Sequence, residues 1–381
     1  MSTFCMSPFV RMTQWWNGNL NTCTHYGEMS GDGTDHEKQV FIPDGKYETL
    51  AEAFEGEEMQ ALRQKMIDGK FLDGCRYCYH LESIGLMSLR QSINSCHKHR
   101  RSDKSQLKEV EIYPSNKCNF RCTICNSSAS SMWELEPMQT KDKKPTKTYM
   151  LDGLGDLDLI TISGGEPMIM NDYDGDFFKD RSAKLFTIAT NNSVFPKQDF
   201  FNFLNRCDDI LIYLSLDGVG AVGEFCRKGL KISRFKRNLK KWKNWFDQSK
   251  FERNGNPNYK LRPPYLTGLR IMFVMQPYNI FNVYDSMKWA DDNDIILDLR
   301  NCYSPEKLNV AYLPDTIKND IIHTMPFYND THREFVEKIF NSGSYDENRM
   351  MEFIKYTKYL MILDEIPEGA LRIYEKCLDI I

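Results

Sequence analysis

At 381 residues the chain exceeds what one small core organises, and a prior of roughly 150 residues per domain predicts two or three units. Its 41% hydrophobic and 27% charged residues exclude a disordered tail, a collagen-like repeat and a low-complexity polymer. A formal net charge of -4 excludes a chain-wide electrostatic footprint for nucleic acid, and no apolar run approaches the roughly 20 residues that cross a bilayer.

The start, MSTFCMSPFVRMTQWW, lacks the charged and apolar regions of a signal peptide, so a soluble, cytoplasmic chain with no membrane partner is expected. Phe9 to Trp15, Asn17-Gly18 and Leu20 to Thr24 read as a hairpin, because Asn-Gly supplies the positive φ of a tight turn. An acidic, Gly-rich segment from Glu28 to Glu58 follows, then a helical pattern from Met59 to Ile67 and a Cys75-x-x-Cys78 pair. Ser95 to Gln106 is polar and basic and reads as a linker.

Beyond it, short β-rich runs alternate with helical patterns. Glu109 to Tyr113, Leu159 to Ser163, Leu185 to Ala189, Ile210 to Leu216, Leu269 to Met275 and Ile295 to Leu299 predict six strands. Several are nearly continuous apolar runs, as parallel strands covered on both faces require. Six βα units in succession predict an α/β parallel barrel or part of one. Gln139 to Thr148 and Phe251 to Pro264 read as excursions, and patterns such as Phe335 to Phe340 and Met351 to Leu363 predict a helical extension. The expected domains are therefore 1–100, 108–300 and 301–381.

Between Lys231 and Arg262 stand eleven Lys and Arg against Asp247 and Glu252, a composition that invites a nucleic-acid reading. Yet Ile232, Phe235, Leu239, Trp242 and Phe246 recur at steps of three and four, so a helix with one apolar stripe and a solvated basic face is favoured.

Twelve cysteines without an export signal read as metal ligands, catalytic thiols or core residues rather than disulfides. Cys118, Cys122 and Cys125 form C-x3-C-x2-C just after the first predicted barrel strand, where loops of parallel folds place their active sites. Three thiolates on one short loop suit three corners of an iron-sulfur cube with the fourth iron open; zinc, which prefers four ligands, is the alternative. Cys96 with His97 and His99 reads as part of the linker, and Cys207, Cys226, Cys302 and Cys377 as core thiols.

The triad resembles the signature of radical S-adenosylmethionine (radical SAM) enzymes, and Gly164-Gly165-Glu166-Pro167 at the end of the next strand is similar to their GGEP loop. Thr190-Asn191-Asn192, Ser215-x-Asp217-Gly218 and Glu224-x-x-Arg227 extend the resemblance over about half the chain. It implies a partial (β/α)6 barrel, a 4Fe-4S cluster on Cys118, Cys122 and Cys125, and S-adenosylmethionine chelated at the open iron. Gly164, Gly165 and Glu166 would then hold the methionyl amino group, and Ile124 would pack on adenine. Asn191 would lie near the ribose, Ser215 or Asp217 would bond a ribose hydroxyl, and Arg227 would pair with the methionyl carboxylate. The implied reaction is reductive cleavage of S-adenosylmethionine to a 5'-deoxyadenosyl radical that abstracts hydrogen from a substrate. A flavodoxin or ferredoxin is the expected electron donor. The residues name no catalytic acid or base.

The N-terminal cysteines resemble the twitch module, a relative of the SPASM domain, which implies an auxiliary 4Fe-4S cluster on Cys5, Cys23, Cys75 and Cys78; a zinc knuckle on Cys75 and Cys78 is the alternative. A two-residue Asn17-Gly18 turn would set Cys23 opposite Met12 and Cys5 roughly 23 Å further along a straight strand, so the chain around Ser7-Pro8 has to curl back. Relatives with such modules often modify peptides or proteins, which makes a peptide the first expected substrate; a sugar, nucleoside or other small metabolite stays open, as does a non-catalytic iron-sulfur protein.

Overall fold

The computed structural model describes residues 2–27, 41–98, 104–134, 154–169, 181–256 and 267–380. The excursion at Gln139 to Thr148, most of the one at Phe251 to Pro264, His99 and much of the acidic segment lie outside these residues. The strands are β1 (Arg11–Gln14), β2 (Leu20–Asn21), β3 (Glu109–Ile112), β4 (Arg121–Cys122), β5 (Leu157–Ile162), β6 (Ala183–Thr190), β7 (Asp209–Ser215), β8 (Arg227–Lys228), β9 (Gly268–Met275) and β10 (Ile296–Asn301). The chain is mixed α/β, with an eight-stranded, mostly parallel sheet and a two-stranded ribbon of β4 and β8. All six strands expected from the sequence are present, as β3, β5, β6, β7, β9 and β10.

Two compact units divide the chain. The first takes Met1–Asn119, Asn126–Leu214 and Arg237–Leu269. In it the strand order is β7-β6-β5-β3-β1-β2, parallel throughout except for β2. The apolar side chains Val110, Ile112, Ile160, Ile162, Phe186 and Ile188 are buried to within a percent or so, as strands covered on both faces demand. A short helix, Gln198–Leu204, joins β6 to β7.

The N-terminal hairpin is part of this sheet. Arg11 to Gln14 pair in parallel with Glu109 to Ile112, so β1 extends the sheet beyond the first expected barrel strand. Its turn differs from the two-residue one: Gly18 N–H donates to Trp15 O, Trp15 N–H to Asn19 O, and Gly18 has φ +86°. A three-residue loop with a left-handed glycine shifts the register by one, pairing Thr13 with Asn21 and Gln14 with Leu20. The curl after Cys5 is a one-turn helix, Ser7–Val10, with proline in its first turn, where a missing N–H costs nothing. Ser7 Oγ donates to Thr22 O at 2.8 Å and fixes the fold-back.

The second unit takes Phe120–Cys125, Ser215–Lys236 and Arg270–Ile381. Here β9 and β10 pair in parallel, with the helix Val283–Asp292 between them in sequence. Helices Asp315–Thr324, Asp330–Asn341, Glu347–Leu363 and Glu368–Leu378 form the expected helical extension. The basic stretch forms a helix, Ile232–Gln248, which starts in this unit and belongs to the first from Arg237 on; its Phe235, Leu239, Trp242 and Phe246 are buried while Lys236, Arg237, Lys240 and Lys241 face water. The Trp242 ring meets Phe195 and Phe201 at centroid distances of 5.2 and 5.7 Å, the contacts of a core stripe. Among the described residues no helix is long and apolar enough to cross a membrane.

Candidate active site

Three groups of residues carry the expected chemistry, and each is built by a different piece of backbone. In the second unit, β4 pairs antiparallel with β8, setting Cys122 opposite Arg227. Thr123 N–H donates to Cys226 O at 2.9 Å, Thr123 Oγ1 to Gln276 Oε1 at 2.9 Å, and Cys125 N–H back to Cys122 O at 3.1 Å. This turn brings the Cys122 and Cys125 thiols into hydrogen-bonding contact. The Cys122 thiol is pushed well up, first by that contact with Cys125 and then by burial, so a metal's positive charge is what would ionise it.

Arg227 is buried, and its Nη1 lies 3.8 Å from Cys122 Sγ. Burial works against its charge, but Asp217, Cys122 and Cys125 outweigh that and hold the guanidinium protonated more firmly than in water. Asp217, fully buried, meets Arg227 Nε at 2.8 Å through Oδ2 and accepts Val274 N–H at 2.9 Å through Oδ1. Burial raises its carboxyl despite the pull of Arg227. Asp217 is thus engaged by protein on both oxygens. Ser215 is also buried, and Ile124 is half-buried in the turn between the cysteines.

In the first unit the Gly164-Gly165 loop follows β5 with φ of +85° and +49°, a region that favours glycine. Both glycines lie against the chain that leads to Cys118. A Cβ on Gly165 would stand 2.2 Å from Lys117 O, and one on Gly164 2.9 Å from the Tyr113 ring. Glu166 is fully buried, accepts Thr190 Oγ1 at 2.7 Å, Met168 N–H at 2.9 Å and Asn191 N–H at 2.5 Å, and donates its own N–H to Lys117 O. Asn191 Nδ2 donates to Asn119 Oδ1 at 2.8 Å, and Cys118 N–H to Ser131 Oγ at 3.1 Å. Glycine loop, Asn191 turn and cysteine approach are therefore one hydrogen-bonded assembly, with Glu166 its buried acceptor.

The four N-terminal cysteines also lie in the first unit, within one electrostatic neighbourhood. The Cys5 thiol is pushed up by burial and then by Cys78 and Cys75, Cys23 by burial and then by Cys78 and Cys5, and Cys75 to about 12 by burial and then by Cys23 and Cys78. The segment before Cys5 is anchored by the helix Leu89–Cys96, from which Arg90 Nη1 and Asn94 Nδ2 donate to Phe4 O at 2.8 and 2.9 Å. Gly74 leaves room for the Tyr26 ring beside Cys75, and Gly27 N–H donates to Gly74 O at 2.8 Å. Cys5 itself packs among Met6, Phe9, Leu62, Met66 and Ile93.

Among the described residues no group of three or more His, Cys, Asp or Glu is gathered closely enough to hold a metal ion. Thiols around an iron-sulfur cluster stand further apart than those around one zinc, whose bonds to sulfur are about 2.3 Å. Both sets are all-thiol, as such a cluster requires; Cys5, Cys78 and Cys122 are buried while Cys23, Cys75, Cys118 and Cys125 are partly exposed, and a buried arginine stands near a thiol of each set.

That second arginine is Arg11, which sequence reading missed. On β1 it is 2% exposed, with Glu109 Oε2 at 3.2 Å and Glu111 Oε2 at 2.5 Å. Burial opposes its charge, while Glu111, Glu109 and then Cys23 sustain it. His97 Nε2 meets Glu109 Oε1 at 2.8 Å, and Tyr113 Oη donates to Glu111 Oε1 at 3.0 Å. His97 is therefore a buried partner of the first sheet rather than a linker residue. The signal was present in EVEIY, where two acids alternate inside an otherwise apolar strand.

No protein-family model and no curated protein matches the chain. Solved structures do. The chain is similar to native anSMEcpe with bound AdoMet at 18% identity and a TM-score of 0.36, covering 52% of this chain and 52% of that one. It is similar to Streptococcus suis SuiB bound to S-adenosylmethionine at 16% identity and a TM-score of 0.35, covering 66% of this chain and 54% of that one. Against SuiB bound to its precursor peptide SuiA the identity is 15% and the TM-score 0.35, over 84% of this chain and 60% of that one. The chain thus spans about half the length of the first of these structures and no more than 60% of the others.

Proposed function

We propose that the chain is a radical SAM enzyme, its parallel sheet a partial (β/α)6 barrel, that acts on a peptide or protein. One observation carries the reading: Arg227, 105 residues from Cys122 in sequence, is paired with it across the β4–β8 ribbon and held there by Asp217. Two motifs that the resemblance treats separately are one piece of structure. Cys118, Cys122 and Cys125 would hold the 4Fe-4S cluster. When bound, the cluster and S-adenosylmethionine supply reductive cleavage of the sulfonium and a 5'-deoxyadenosyl radical for hydrogen abstraction.

The protein's part is orientation. Arg227 presents a fork of donors suited to a carboxylate. Asp217, with both oxygens taken, aims that fork, and Ser215 is left for the ribose contact, since the Asn191 side chain is itself bonded to Asn119 and Ser193. Glu166 braces the glycine loop against the cysteine approach, so that loop offers mainly backbone to the methionyl group. Cys5, Cys23, Cys75 and Cys78 would hold an auxiliary 4Fe-4S cluster. A peptide is favoured as substrate because the N-terminal cysteine set resembles the module of relatives that modify peptides, and an external one-electron donor completes the system.

Anaerobically reconstituted protein given dithionite and S-adenosylmethionine should form 5'-deoxyadenosine. Replacing Cys118, Cys122 and Cys125 together by Ala should abolish it. Unbroken S-adenosylmethionine with the wild-type holoprotein would overturn the reading.

A further inference from the structure

The helical extension contributes directly to the cysteine turn, and all of its contacts described here lie within the second unit. Tyr356, on the helix Glu347–Leu363, donates its hydroxyl to the Thr123 carbonyl at 2.8 Å. Thr123 N–H and Oγ1 are already bonded to Cys226 and Gln276, so with Tyr356 every polar group of the residue after Cys122 is held. Just past the helix, Asp364 receives Arg121 Nη2 at 2.5 Å on one oxygen and Lys228 Nζ at 2.6 Å on the other. Arg121 and Lys228 are cross-strand partners in the ribbon, one pair along from Cys122 and Arg227, so one carboxylate ties both strands together.

The helix is fixed independently of this turn. Tyr278 Oη and Thr357 Oγ1 are 2.8 Å apart, the Tyr278 and Phe353 rings meet at 5.3 Å, and Arg349 is ion-paired with Glu306. Lys307 Nζ sits 4.1 Å from the centre of the Tyr356 ring and restrains its tilt. A two-stranded ribbon this short has little stability of its own, so its shape has to be imposed from outside.

We propose that Tyr356 and Asp364 are positioning residues: the helix Glu347–Leu363 and the residue that ends it clamp the turn that carries Cys122 and Cys125 and set the separation of those thiols for a bound cluster. The value of the clamp to a cluster rests on the radical SAM reading, whereas its existence does not.

Hydrogen exchange on the metal-free full chain tests the clamp by itself. Tyr356→Phe keeps the ring and loses the bond to Thr123, and Asp364→Asn keeps the size and loses the charge. Each should speed exchange at the amides of residues 121–125 by about tenfold, the scale of one lost buried hydrogen bond, with β5 and β6 unchanged. Asp364→Glu should recover part of the protection. After anaerobic loading with iron and sulfide, both variants should lose iron to a chelator several-fold faster than wild type. Unchanged exchange at 121–125, or an equal rise throughout the chain, overturns the clamp. If local exchange responds but the wild-type chain takes up no iron, the clamp stands and the radical SAM reading falls.

Discussion

Asp217 acts through another side chain: its carboxylate is set against the buried Arg227 guanidinium at 2.8 Å. A guanidinium buried beside a thiol is tolerable only with a carboxylate against it, because an unpaired buried charge costs several kcal/mol. Asp217→Asn should therefore destabilise the fold by about 3–5 kcal/mol in urea unfolding of the metal-free protein. A loss below about 1 kcal/mol would show that Arg227 finds another partner. Gly165→Ala needs no charge to be severe, since the φ of +49° and the 2.2 Å approach to Lys117 O leave no place for a methyl. It should abolish S-adenosylmethionine binding by the reconstituted protein, read by calorimetry. His332 gives a pH signature: burial lowers its pKa from 6.5 to about 4, and its Nε2 has no hydrogen-bond partner. A base whose folded pKa is depressed adds stability in full above its unfolded pKa and loses it as the proton is forced on. The melting temperature should fall between pH 6.5 and pH 4, and His332→Leu should flatten that slope.

The element that best separates a core stripe from a nucleic-acid face is the helix Ile232–Gln248. Trp242→Ala should cost about 3–5 kcal/mol, whereas Lys240→Glu on the exposed side should shift stability by less than about 0.5 kcal/mol. Equal effects would mean that the stripe does not pack. This helix and the six principal strands were legible in the sequence because their patterns, period 3.6 or a near-continuous apolar run, are local properties of the chain. What escaped was non-local. Arg11 and Thr13 on β1 look like the outward face of a free hairpin until β3 is set beside them, and the pairing partner lies 98 residues away in sequence, at Glu109 for Arg11. The hairpin register failed for a subtler reason: Asn17-Gly18 marked the turn, but a left-handed glycine serves two-residue and three-residue loops alike. At the candidate site the cysteines, glycines and Arg227 were readable as motif members. Tyr356 and Asp364 were not, because nothing about a tyrosine on an amphipathic helix announces a carbonyl more than two hundred residues earlier.

For the whole molecule, the decisive quantity is metal stoichiometry. Two cubane clusters predict about eight irons per chain after anaerobic reconstitution, falling to about four when Cys75 and Cys78 are replaced by Ala. Zinc at one equivalent, retained in a triple Cys118, Cys122 and Cys125 variant, would instead mark the N-terminal set as a zinc site. The parallel pairing of β1 with β3 bears on how the chain comes to be made. During synthesis Arg11 waits for about a hundred further residues before its two carboxylates exist, so the N-terminal cysteines leave the ribosome well ahead of the strand that buries their neighbour. For the same reason a shortened version starting near Lys104 would bare the hydrogen-bonding edge of Glu109–Ile112, and with it two acids stripped of their only arginine among the described contacts. Such a fragment should come out of the cell as aggregate, however intact its remaining strands.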